Sequence, residues 1–385
     1  MLDFTSALYL GLRHPTGSLR PWAQLTTGRP AALATPASQV GLAQALAELQ
    51  GCERATLSPS TLHLFWDLFT VLARGRVAIY MDAGTYAIAH WGVERAAARG
   101  VPIRHFPHQD VEVLRRELKQ DARFGLQPLV VADGFYPGSG GPAPIAAYLE
   151  VVRDYGGQLI LDDTQALGIF GHSPGLDAPY GRGGGGSLRR SNVGGPDLLV
   201  VSSLAKGFGA PVAVLAGSDA MVRHFEASSQ TRVHCSPPSA AVVHAAQHAL
   251  AVNRSFGDRL RLRLAQLVRY FRQKLKRIGF LATGGLFPVQ TLEPEDRLDA
   301  KTLYDRLLQC GIRTVLHRGR NGHRPRISFL ITALHRQSDI DRAVDALARV
   351  VRNTAGLEGK AIQRTPALWG ERSEEDGAVR SMVSR

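Results

Sequence analysis

The feature that most limits the fold of this chain is a run of short, uniformly apolar segments separated by helical stretches. RVAIYMD (76–82), PIRHFP (102–107), LVVAD (129–133), QLILDD (158–163), LLVVSS (198–203) and VAVLAG (212–217) are rich in β-formers and lack polar alternation. That is the pattern of strands buried on both faces. DVEVLRRELKQDARFG (110–125) and PIAAYLEVVRDYGG (144–157) lie between them with helical spacing. Two more helices are expected upstream: SQVGLAQALAELQG (38–51), capped by Ser38 and stopped by Gly51, and STLHLFWDLFTVLARG (60–75). The class is α/β, a mainly parallel sheet covered by helices.

From about residue 257 the texture changes. A basic helix, GDRLRLRLAQLVRYFRQKLKR (257–277), leads to strand-like segments near 286–292 and 312–316, then RISFLIT (326–332) and a helix over SDIDRAVDALARVV (338–351). This reads as a smaller α+β domain. The expected division is an N-terminal segment 1–37 packed against the small domain, a large domain 38–256, a small domain 257–352 and a loosely ordered polar tail 353–385. GRGGGGSLRRSNVGG (181–195) is expected to be a mobile loop.

Composition excludes several classes. The chain has 385 residues, 44% hydrophobic and 21% charged, ordinary for a globular protein. No apolar run is long enough to cross a bilayer. The first residues, MLDFTSALYLGLRHP, lack the order of a secretory signal, so a cytoplasmic protein is expected. Cys52, Cys235 and Cys310 are far apart, which argues against a zinc site or disulfide framework. The net charge is +13, but the basic residues are spread along the chain and accompany no nucleic-acid-binding module. The helix at 257–277 reads as a solvated amphipathic face. Lysine is scarce, six against 40 arginines, so each lysine position carries information.

Sheets of this kind place their chemistry at the carboxyl ends of the strands. Lys206, in SSLAKGFG (202–209), follows one such end. A lysine amine forms Schiff bases and an arginine does not; an ordinary loop lysine is the competing reading. Asp162 ends ILDD (160–163). A buried carboxylate needs a cationic partner, and a protonated pyridine nitrogen would serve; a polar cap on the next turn is the alternative. Asp163 faces away and bonds the loop backbone. In LSPSTLHLF (57–65), Ser58, Ser60 and Thr61 open a helix whose free N–H groups suit a phosphate, although plain N-capping accounts for the same residues. Ser202 and Ser203 add hydroxyls. Tyr86, in MDAGTYAIAH (81–90), is placed to stack on a planar ring. Together these form the layout of a pyridoxal phosphate (PLP) site in the aspartate-aminotransferase-like fold.

The chain also resembles a family, the α-oxoamine synthases, from about residue 8 to 352. The likeness rests on LYLGLRHP (8–15), RHFPHQDVEVLRREL (104–118), VVADGFYPGSGGPAPI (130–145), ILDDTQALGIFG (160–171), SSLAKGFG, HCSPPSAA (234–241) and ISFLITALHRQSDIDRAVDAL (327–347). It implies fold type I of the PLP enzymes and a homodimer with active sites at the subunit interface. It implies that Lys206 carries the cofactor and acts as base and acid, that Asp162 pairs with the pyridinium, and that the reaction is a decarboxylative condensation of an amino acid with an acyl-CoA or acyl-carrier-protein thioester. Several positions depart from the family. Tyr86 stands where a histidine stacks on the ring, and Gln165 where a histidine lies near the cofactor's phenolic oxygen. Pro59-Ser60-Thr61 replaces a Ser-Gly-aromatic turn. Ser328 occupies the place of the substrate-carboxylate arginine, seven residues before His335, with Arg326 two residues upstream on the same strand face. A PLP-dependent transamination and a non-catalytic partner subunit on the same scaffold are the alternative readings.

Overall fold

The computed structural model describes residues 1–138, 141–293, 299–317 and 324–362, the last nine of these (354–362) as backbone alone. Its centre is a seven-stranded sheet. The strands are β1 (Arg54–Ser58), β2 (Val77–Asp82), β3 (Ile103–Phe106), β4 (Gln127–Asp133), β5 (Gln158–Asp162), β6 (Leu198–Ser203) and β7 (Ala213–Gly217). Their order across the sheet is β1-β7-β6-β5-β4-β2-β3. β2 to β6 run parallel, and β7 is antiparallel to both β6 and β1.

Strand alternation explains why each run is apolar throughout. Ile79, Met81, Val131, Ile160 and Val201 face one side, against α2 (Thr61–Leu72), α3 (Ala87–Ala97) and α7 (Asp219–Ser228). Ala78, Tyr80, Val130, Ala132, Leu159 and Leu161 face the other, against α4 (Val111–Asp121) and α5 (Ile145–Asp154). Both faces are covered, so no polar alternation survives.

Beyond this sheet, α9 (Ala240–Arg277) runs 38 residues to a four-stranded antiparallel sheet. This is made of β8 (Ala282–Thr283), β9 (Val289–Leu292), β10 (Val315–His317) and β11 (Arg326–Leu330), in the order β8-β9-β11-β10. The N-terminal segment is stitched to it. Leu2 pairs with Ile312, Leu330 N–H donates to the Phe4 carbonyl, and the His335 ring lies 4.4 Å from that of Phe4.

Four local expectations are corrected. The first helix is α1 (Ala37–Gln50), with Pro36 and not Ser38 at its N-cap, two residues sooner than expected; proline's fixed φ suits that entry. β1 was not foreseen, because RATLS mixes polar and apolar residues. The long helix begins at Ala240, well before 257. The last helix, α11 (Gln337–Ile362), passes residue 353, where the tail was expected to begin; residues 363–385 of that tail lie outside the described residues.

The glycine-rich segment 181–195 is folded. It holds a short helix, α6 (Ser187–Ser191), and exchanges backbone bonds between Arg182 and His172. Gly186 shows why glycine is used: its φ is +87°, and a Cβ would sit 2.0 Å from Asp163 Oδ2. Asp163 is 1% exposed and accepts from Ser187 N–H at 2.9 Å. Burial pushes its carboxyl up to about 7. The folded value lies above the unfolded one, so the charged form costs stability as pH rises from about 4 to about 7, and the cost is constant above. Asp163→Asn keeps the acceptor for Ser187 and removes the charge. Urea titrations are expected to show it more stable than the wild type by on the order of 2–4 kcal/mol at pH 8, with little difference at pH 4.

Candidate active site

Asp82, Asp133, Asp162 and Ser203 are the last residues of β2, β4, β5 and β6. The parallel strands therefore bring three carboxylates and a hydroxyl to one edge of the sheet. Above it opens a cavity of about 650 Å³, the size of a cofactor site. Thr61, Tyr86, Asp133, Asp162, Thr164, Gln165, Ser203 and Lys206 line it.

Asp82 is fully buried and organises the rim. It accepts from Gly84 N–H at 2.7 Å, Gln109 N–H at 3.0 Å, the Tyr148 hydroxyl at 2.9 Å and His108 Nδ1 at 2.8 Å. Gly84 must be glycine here, since a Cβ would stand 2.4 Å from His108 Nδ1. This loop delivers Tyr86 to the N-cap of α3, where its N–H donates to Asp133 Oδ1 at 3.1 Å. The Tyr86 side chain is 58% exposed, and its ring centroid lies 5.9 Å from Lys206 Nζ.

The floor is electrostatically unbalanced. Asp133 and Asp162 are register partners on adjacent strands, each 7% exposed. Burial raises both carboxyls, and the charge of Asp162 raises Asp133 further. Thr164, whose N–H donates to Asp162 Oδ1 at 2.9 Å, and Lys206 pull Asp162 the other way. Burial lowers the Lys206 ammonium, against the pull of Asp162 and Asp133. Among the described lining residues Lys206 is the sole amine and no arginine takes part. One ammonium thus faces two carboxyls, and the pair is balanced either by a retained proton or by a second cation such as a protonated ring nitrogen.

An anion has its own seat. α2 and α3 both start at the cavity, and neither N-cap side chain bonds its helix N–H groups. Free N–H groups and the positive end of two helix dipoles favour a phosphate there. Thr61 faces this space, whereas the Ser60 hydroxyl is turned to His63 Nδ1 at 2.8 Å.

The small sheet is different. Ser328 is fully buried, with its hydroxyl bonded to Thr291 Oγ1 at 2.6 Å and His317 Nε2 at 2.7 Å. Arg326 sits at the start of β11, paired with His317. Neither is among the residues lining the cavity, so the structure does not bring the expected carboxylate anchor to it. Conversely, Asp133, Thr85, His108, Tyr136 and Thr164 line the cavity without having been singled out. Asp133 carried the same signal as Asp162, a carboxylate closing a buried strand.

Comparisons with known proteins agree with this architecture. A family model described as aminotransferase class I and II matches residues 14–347. An 8-amino-7-oxononanoate synthase of Pseudescherichia vulneris is 29% identical over 357 residues, covering 90% of this chain and 88% of the relative. One from Alcanivorax borkumensis is 28% identical over 312 residues, covering 80% and 76%. Among solved structures, a serine palmitoyltransferase from S. paucimobilis with bound PLP–myriocin superposes with a TM-score of 0.79 at 19% identity, over 92% of this chain and 88% of the other.

Proposed function

The chain belongs to the aminotransferase class I and II family, and from that premise we propose that it is an α-oxoamine synthase, which condenses an amino acid with an acyl thioester and releases carbon dioxide and free thiol. The family's cofactor is PLP. The observation that carries the reading is the meeting of Lys206, Asp162 and two open helix N-termini in one cavity of about 650 Å³. The carboxyl pair on its floor fits a pyridinium, and the helix starts fit a phosphate.

PLP, when bound, supplies an electron sink for the carbanion formed at the substrate's α-carbon. The residues around it do the rest. Lys206 would hold the cofactor covalently and would move the proton at the α-carbon, helped by burial that lowers its ammonium. Asp162 keeps the ring nitrogen protonated, and Thr164 fixes the carboxylate in place. Tyr86 offers a stacking face, and Thr61 and Ser203 offer hydroxyls to the phosphate end. Gln165, which lines the cavity, would offer its amide to the ring. The +13 charge favours encounter with an acidic donor, a CoA or carrier-protein thioester.

The test is chemical. Protein loaded with PLP should show a visible band that borohydride traps on Lys206, and should release thiol from an acyl thioester only when an amino acid is present. A 2-oxo acid or aldehyde requirement without thiol release would assign a transamination instead.

The same reading includes a homodimer. Leu62 and Trp66 of α2 and Trp91 of α3 are 39–48% exposed and line a hollow of about 690 Å³. Aromatic clusters of this kind are interface cores. Light scattering on Trp66→Glu is expected to show a monomer where the wild type is a dimer; a dimeric Trp66→Glu would move the interface elsewhere.

A further inference from the structure

Tyr9 lies 156 positions before Gln165, yet its buried hydroxyl donates to Gln165 Oε1 at 2.9 Å. This is the one polar partner of either terminal group among the described residues. If the amide were reversed, its nitrogen would donate to the tyrosine oxygen and the phenolic hydrogen would be left without an acceptor. That arrangement is costly in a residue only 1% exposed. The carbonyl end is therefore held by Tyr9, and the two N–H donors of Gln165, which lines the cavity, make no hydrogen bond within the described residues.

Tyr9 is itself held from the other domain. Its carbonyl accepts from Ala333 N–H at 2.8 Å, and its ring meets Phe287 edge-on at 5.4 Å. Three residues before Ala333, at the end of β11, Leu330 N–H donates to the Phe4 carbonyl, while His335 Nε2 binds the Asp3 carbonyl at 3.0 Å. Residues 2–9 form a strap from the small sheet to the turn after β5.

We propose that Tyr9 is a positioning residue, which fixes the Gln165 amide with its N–H groups toward the bound ring and makes that donor depend on the docking of the strap to the small sheet. The inference rests on the cofactor reading above. It has a consequence that a plain packing tyrosine lacks. In Tyr9→Phe the amide is free to rotate, and its carbonyl can then face an acceptor oxygen of the ring. The substitution removes no carbon atom, so packing is kept.

The experiment is a double-mutant cycle with Tyr9→Phe and Gln165→Leu on full-length protein. Three quantities are read: PLP affinity of the apoprotein by fluorescence quenching, the pH titration of the visible band, and kcat against KM. Each single variant is expected to lower kcat about 10-fold to 100-fold, with KM changed less than about threefold, and to shift the band's titration in the same direction. The double variant is expected to equal Gln165→Leu. Gln165→Glu keeps the acceptor for Tyr9 and replaces the donor by a negative charge, so its band should shift in the same direction as that of Gln165→Leu, and further, even if Tyr9→Phe folds poorly. Additive effects of the two single variants, or a Gln165→Glu band like the wild type's, would overturn the inference while leaving the cofactor reading standing. Absence of any band in the wild type would overturn both.

Discussion

Lys206→Ala is expected to lower thiol-releasing turnover by about 10⁴-fold or more and to abolish the band that borohydride traps. Under the proposed function the residue has two tasks that no neighbour can take over. It makes the covalent link, and among the described lining residues it is the sole amine. It also moves the proton at the reacting carbon, a contribution of about 10² to 10⁴ by itself. Lys206→Arg separates these roles from simple charge balance. Arginine keeps a cation beside Asp133 and Asp162, so the apoprotein should melt close to the wild type. It cannot form the link, so turnover should fall as far as in the alanine variant. Lys206→Ala instead leaves two buried carboxylates without their ammonium. Its apoprotein should take up a proton and lose stability as pH rises from about 4. Substantial turnover in either variant, measured as thiol release, would remove Lys206 from the centre of the reaction.

The sheet was legible because its strands are buried on both faces. The runs at 129–133, 158–163 and 198–203 end within two residues of β4, β5 and β6. β1 was not, since Arg54, Thr56 and Ser58 break the apolar run and its place beside β7 is set by a pairing 155 or more residues away. Composition misled at 181–195, where glycine reads as looseness. In the fold those glycines are what lets the backbone pass within contact of Asp163 and of residues 171–172. In the site, Lys206, Asp162 and Tyr86 were readable from strand ends, a property local in sequence. The partners that tune them were not. Asp133 matters through its register with Asp162, and Tyr9 through a bond across 156 positions. Arg326 and Ser328 came from resemblance alone, and the alternation of β11 turns Ser328 into the small-domain core.

Asp162→Asn should move stability and function in opposite directions, and that opposition is the sharpest test of the carboxylate's role. In the apoprotein Asp162 is a cost. Burial raises its carboxyl, Asp133 stands beside it on the next strand, and only one ammonium serves both. A folded value above the unfolded one means that the charged form opposes folding, increasingly as pH rises from about 4. Asparagine keeps an acceptor for Thr164 N–H and removes that cost, so the apo variant should melt higher than the wild type at pH 8 and equally at pH 4. With PLP the sign reverses. The wild-type carboxylate, only 7% exposed, would gain the pyridinium as its partner in a charge-assisted contact. An amide holds no proton on the ring nitrogen, so the electron sink weakens. PLP affinity should drop by about 10-fold to 100-fold and turnover by on the order of 10³-fold. A carboxylate that merely caps the turn after β5 predicts something else: asparagine would cap it almost as well, leaving both melting curves and the cofactor's affinity near the wild type. Melting curves of both proteins, with and without PLP at pH 8, therefore decide between a charge kept for the cofactor and a charge kept for the chain.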